Sequence, residues 1–171
     1  MIVGKSRLRR GAGFANGSPG LLGDVVAPIV SATRWRMLTR NRPNNGYIWI
    51  GELRLLSEEG GSQLAVDGST GTASANSNSG AGYAAAGAFN NNLTDNGWSS
   101  AQFGSPQENW IEFEFDVATT VNAFSIHSKS VSAYGPLDFD IQYHDGTDWV
   151  VAGSYDLTTG DYTTSVYAAV L

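Results

Sequence analysis

Between Asn109 and Val117 the chain reads NWIEFEFDV, with Ile111, Phe113, Phe115 and Val117 alternating against Trp110, Glu112, Glu114 and Asp116. A period of two sends successive side chains to opposite faces, so this stretch predicts a strand with one face on a core. Leu137 to Tyr143, LDFDIQY, repeats the pattern, with Leu137, Phe139, Ile141 and Tyr143 against Asp138, Asp140 and Gln142. Val121 to Ser128 sets Asn122, Phe124 and Ile126 against Ala123, Ser125 and His127. Tyr47 to Leu56, YIWIGELRLL, places Ile48, Ile50, Glu52 and Arg54 on one face. Tyr47, Trp49, Leu53 and Leu55 fall on the other, and this aromatic face is the one expected to be buried. Arg34 to Thr39 is a further strand, and the polar stretch Arg40 to Gly46, RNRPNNG, is expected to join it to Tyr47–Leu56 as a hairpin. Asp145-Gly146 signals a second hairpin, leading into Trp149-Val150-Val151, and Thr164 to Leu171 supplies the last strand. Ser57 to Gly87 is rich in Gly, Ser, Ala and Asn and predicts a loose connection with one short strand near Thr72 to Ser77. Eight or so short strands at this spacing predict an all-β, antiparallel jelly-roll sandwich.

Composition agrees with that reading. Twenty-one glycines and few charged residues, 15% against about 25% in ordinary globular chains, belong to a protein of turns and short strands. The formal net charge of −6 argues against a nucleic-acid partner, because phosphate binding needs clustered Lys and Arg. The basic residues are unevenly spread. Lys5, Arg7, Arg9 and Arg10 crowd the start, Arg34, Arg36, Arg40 and Arg42 follow, and only Arg54 and Lys129 lie beyond. Residues 1–33 therefore stand apart as an N-terminal arm ahead of a sandwich spanning 34–171. The arm is read as a docking segment on a neighbouring subunit or on its own sandwich, with disorder of residues 1–20 the alternative.

The absence of cysteine removes disulfides, thiol chemistry and Cys-based zinc sites, and favours a bacterial or viral source. Leu21 to Val30, LLGDVVAPIV, is too short and too interrupted by Asp24 and Pro28 to span a membrane. Lys5 to Arg10 resembles the basic part of a signal peptide, but Gly11 to Gly20 lacks the apolar run that must follow, so none is expected.

Four segments in order carry a family resemblance: AFNNNLTDNGWSS (88–100), NWIEFEF (109–115), VNAFSIHS (121–128) and GPLDFDIQYHDGTDWVVAG (135–153). Their Phe-Asn loop ending in Trp, Trp-Ile strand and Pro-x-x-Phe strand entering an Asp-Gly-x-x-Trp turn resemble the discoidin, or coagulation-factor type C, domain. That domain is a galactose-binding-like jelly roll. RWRMLTRN and YIWIGELRLL are similar to the family's closing pair of strands, here placed before the main body, as in permuted versions found in phage tail and virion proteins.

The resemblance implies calcium in the loop from Ala88 to Trp98, with a Glu from the closing strand. Calcium takes six to eight oxygens, and Asn90, Asn92, Thr94, Asp95 and Glu52 are the candidate ligands. Asn90 stands where the family has Asp and Asn91 where it has Gly. The competing expectation is that these Asn and Asp residues only shape a turn. The resemblance also implies glycan binding at the loops on one end of the sandwich, with His127, Lys129, Tyr134 and Tyr83 as candidates. Trp98 is a further one, although Trp98, Trp110 and Trp149 are expected in the core.

Catalysis is not expected. The carboxylate pairs Glu112/Glu114 and Asp138/Asp140 are two apart on strands and read as decoration of a solvated face. No Gly-x-Ser-x-Gly elbow, His-Glu-x-x-His helix or phosphate loop occurs. The expectation is thus a non-catalytic phage virion protein of tail, baseplate or capsid, assembled in the host cytoplasm. It would bind host-surface carbohydrate, contact other virion subunits through residues 1–33, be oligomeric in the particle and insert in no membrane. A structural decoration protein and a secreted bacterial carbohydrate-binding module are the alternatives.

Overall fold

The computed structural model describes residues 30–41, 46–101, 108–130, 134–163 and 166–171. The expected arm, through residue 29, and most of the Arg40–Gly46 turn lie outside these residues. Nine strands form among them: β1 (Ser31–Asn41), β2 (Trp49–Leu56), β3 (Gly71–Ala75), β4 (Trp98–Ser99), β5 (Asn109–Thr120), β6 (Ala123–Ser128), β7 (Asp138–His144), β8 (Trp149–Asp156) and β9 (Val166–Val170). Every pairing is antiparallel. One sheet has the order β3-β5-β1-β7-β8 and the other β4-β2-β6-β9. The chain is the β-sandwich its alternation predicts.

The core lies between the sheets. Trp35, Met37, Ile111, Phe113, Phe139 and Ile141 face inward from the five-stranded sheet, and Ile50, Leu53, Leu55, Phe124 and Ile126 from the other. Each fully buried side chain of this size contributes about 1.5–3 kcal/mol by leaving water. Aromatic pairs bridge the layers, as where Phe124 meets Phe139 edge-on at 6.0 Å and Tyr155 at 4.9 Å.

Several expectations need correction. β1 and β2 do not form a hairpin. β1 lies between β5 and β7 in one sheet, and β2 between β4 and β6 in the other, so their connection crosses from layer to layer. The polar stretch between them resembles a hairpin turn in composition, but the residues on each side have their partners elsewhere. β1 also begins at Ser31, whose hydroxyl shares a hydrogen bond with that of Thr120. Residues 31–33 therefore belong to the sheet.

The expected burial of the aromatic face of β2 is overturned as well. Ile48 and Ile50 are buried, and so are Leu53 and Leu55, which strict alternation puts on opposite faces. The register of β2 against β6 slips between Ile50 and Glu52. A bulge at Gly51 adds one residue and changes the phase. Tyr47 and Trp49 are thereby turned outward, with Tyr47 exposed and Trp49 half-buried. Glu52, on the outer face beyond this step, is nonetheless buried, at 1% exposure, where the Asn91 N–H of a covering loop reaches its carboxylate.

Of the three tryptophans expected in the core only Trp98 is there. Trp110 and Trp149 are half-buried on the outer face of the five-stranded sheet. Nor are the carboxylate pairs mere solvent decoration. Glu112 is buried and accepts from Arg34 Nε at 2.6 Å. Asp140 is fully buried and accepts from Arg40, from Ser154 Oγ at 2.6 Å and from Gln142 Nε2 at 3.2 Å. Arginines on β1 cover both carboxylates, since β1 runs between β5 and β7. Val117, expected inward, is exposed where the register of β5 against β1 shifts between Ala32 and Arg34, an irregularity that breaks the alternation.

Candidate functional site

The outward turn of β2 creates a groove. Tyr47 and Trp49 meet Tyr83, at the end of the short 3₁₀ turn Ala81–Tyr83, and Tyr134, whose N–H donates to the Ser130 carbonyl at 2.7 Å. Ser79 and Ser99 complete a lining that encloses about 250 Å³ and, among the described residues, contains no charged side chain. Trp49 is the common wall. Its ring lies 5.7 Å from that of Tyr83 at an interplanar angle of 81°, and 5.8 Å from that of Tyr134 at 60°. The indole N–H donates to the Asn96 carbonyl at 2.5 Å, fixing the ring's orientation. Apolar rings with a few hydroxyls make a surface that can stack against a ligand and hydrogen-bond its edges.

Tyr83 and Tyr134, two of the residues nominated from sequence, are brought together here. His127 and Lys129, the other two, lie elsewhere on the outer face of the four-stranded sheet. The Lys129 N–H reaches the Trp49 carbonyl at 3.4 Å, but its ammonium is tied to the Leu93 carbonyl at 2.8 Å. His127 lines a second hollow, of about 50 Å³, with Glu52, Arg54, Leu93, Ser125 and Val166. Trp49 and Tyr47 were missed because their face was assigned to the core. A glycine inside a strand pattern is the signal for a bulge, and Gly51 was available as that signal.

The second hollow gathers polar atoms. Glu52 pairs with His127 and Arg54 with Ser125 across β2 and β6. Glu52 Oε2, Arg54 Nε and His127 Nδ1 are buried and have no partner among the described residues. Burial pushes the Glu52 carboxyl up to about 7, against the opposing effects of the Asn91 N–H and Arg54, with Asp95 adding a small rise. Burial likewise lowers His127, helped by Lys129 and Arg54.

The loop from Asn90 to Gly97 closes over this hollow and is wound by its own side chains. The side-chain oxygen of Asn90 accepts from the Asn92 N–H, that of Asn92 from the Thr94 N–H and hydroxyl, and that of Asp95 from the Gly97 N–H, all within 3.0 Å. Asn90 also donates to Asp95, and the Asn91 N–H donates to Glu52 Oε1 at 3.0 Å. The turn-shaping role of these residues is therefore present. The unpartnered, buried Glu52 Oε2 close to Asp95 nonetheless fits a bound cation, because an anionic oxygen taken from water needs a proton or a metal. Among the described residues no three His, Asp or Glu side chains cluster, so further donors would be neutral oxygens.

Against known families, residues 70–170 match the model of the F5/8 type C domain. No curated protein and no solved structure matches the chain.

Proposed function

The chain belongs to the F5/8 type C domain family, and from that premise we propose that it is a non-catalytic module that holds a host-surface glycan in the Trp49 groove. Domains of this family bind carbohydrates or other ligands. One observation carries the proposal: four aromatic side chains that could have packed in the core instead line an uncharged groove on the surface. Sugars offer apolar C–H faces to aromatic rings, while the Tyr and Ser hydroxyls can bond to the ring substituents. A groove of 250 Å³ is below the roughly 300–1,000 Å³ of drug-sized pockets and suits a single sugar ring.

The test is a glycan array with the purified protein and its Trp49→Ala variant. Binding that disappears in the variant, with a cooperative melting transition lowered by no more than a few degrees, supports the groove. Binding that survives would move the site, and the hollow lined by His127 would be the next place to substitute.

Calcium is part of the same proposal. Glu52 and Asp95 would hold the ion, with side-chain oxygens of Asn90, Asn92 and Thr94 available to complete its shell; the ion would supply charge that rigidifies the loop. Because the Asn96 carbonyl holds the Trp49 indole, that loop also fixes the wall of the groove.

The setting proposed is a phage particle. Its support is the position of β1 and β2 ahead of the matched segment, similar to the permuted form of the fold, together with the basic start of the chain. Mass spectrometry of purified particles decides it.

A further inference from the structure

We propose that the Trp49 groove takes a quaternary ammonium group, as carried by choline, by acting as an aromatic cage. This rests on the reading of the groove as the ligand site but names a different chemistry within it. A flat sugar platform needs one open ring face, whereas a cage needs several ring faces turned about one point. The rings of Tyr83 and Tyr134 meet that of Trp49 edge to face, at 81° and 60° with centroids 5.7 and 5.8 Å from it, so the three are set in different planes, and together with Tyr47 they line one hollow. Each ring presents a negative face to which a cation is drawn.

The lining selects the methylated form of the cation. Among the described residues no carboxylate lines the groove, so none of them replaces the hydration of a primary ammonium, which is a compact and strongly hydrated charge. A trimethylammonium is weakly hydrated, and its methyl groups match apolar walls. Among the described residues no Lys, Arg or His lines the groove either, so the cation meets no like charge from them, and the net charge of −6 favours its approach.

Among the described residues these rings also carry no cation of the chain's own. The chain's own cation–π pairs among the described residues are Arg34 and Arg36 over Trp149, at 5.1 and 4.1 Å, on the other sheet. Lys129, whose backbone N–H reaches the Trp49 carbonyl, has its ammonium bonded to the Leu93 carbonyl.

Calorimetric titration with choline chloride tests the cage, set against 3,3-dimethylbutanol, its uncharged isostere. Saturable choline binding at least about tenfold tighter than that of the isostere, and weakened about tenfold in Tyr83→Ala, is the expected result. Trp149→Ala should bind as the parent does, and melting curves establish that both variants are folded. Phosphocholine and phosphatidylcholine vesicles, titrated in parallel, distinguish a free or glycan-linked head group from a membrane source. Equal affinity for choline and the isostere, or no choline binding, overturns the cage. Glycan binding lost in Trp49→Ala without choline binding would sink the cage and leave the sugar groove. Failure of both ligands would remove the groove as a ligand site.

Discussion

Trp98 and Trp49 are the same kind of residue at opposite ends of a cost scale. Trp98 is fully buried and its indole N–H donates to the Ser77 carbonyl at 2.9 Å, so Trp98→Ala leaves a cavity and an orphaned acceptor. A loss of about 3–5 kcal/mol is expected, read by chemical denaturation. Trp49 is half-buried, and Trp49→Ala should cost about 1 kcal/mol while abolishing ligand binding. Glu52 gives a second prediction. Its carboxyl titrates near 7 in the fold against an ordinary 4.5, so the folded state holds the proton more tightly. That stabilisation is complete below pH 4.5 and is lost as pH rises through 7. It amounts to about 2 kcal/mol once screening by solvent is allowed for. Denaturation midpoints measured from pH 4.5 to 8 in the absence of calcium should fall by that amount. In Glu52→Gln that fall should disappear, leaving the opposite trend contributed by His127, whose lowered titration favours the fold as pH rises.

Strand alternation made most of the core legible from β5 to β7, because a period of two holds over the central residues of those strands and fails only where the register shifts, as at Val117. Phe113, Phe115, Phe139 and Ile141 are where that period puts them. β2 defeats the same reasoning through one residue, since the extra backbone unit at Gly51 exchanges the faces on either side of it. The error was not local to β2, because the aromatic side of the ligand groove was hidden with it. The hairpin between β1 and β2 failed for a different reason: turn composition reports a reversal of the chain but not which strand pairs after it. Gly97 shows how tightly the bulged region is closed. It has φ +64°, and a Cβ there would lie 2.1 Å from the Ile50 carbonyl oxygen and 2.6 Å from Gly51 Cα. Gly97→Ala should therefore destabilise by about 3 kcal/mol or more and detach the Asn96 carbonyl from Trp49. Thermal melting measures the first effect, and loss of ligand affinity the second.

At the scale of the whole molecule the family match and the folding unit differ. Residues 70–170 contain seven of the nine strands, but both sheets are open without β1 and β2, which run between β5 and β7 and between β4 and β6. A fragment of 70–170 would expose the flanks of four strands and lose Trp35, Met37, Ile50, Leu53 and Leu55 from the core. It should not fold, and its amide NMR spectrum should lack dispersion. Restoring the missing strands at the other end should rescue it. Ser31 pairs with Thr120, and the Leu171 N–H donates to the Asn122 carbonyl at 2.8 Å, so the two ends of the described sandwich lie beside neighbouring residues of one chain segment. A short Gly/Ser linker from Leu171 to Ser31 spans that gap. New ends opened in the exposed turn at Glu59-Gly60 lie away from the groove, at a glycine whose surroundings are empty. The permutant running from Gly60 through Leu171 to Ser31 and on to Glu59 keeps every strand pair and every core contact. It should melt within a few degrees of the parent and give a matching spectrum for the shared core residues. Failure to fold would mean that the order of synthesis, and not the set of contacts, decides how β1 and β2 reach their places between the other strands.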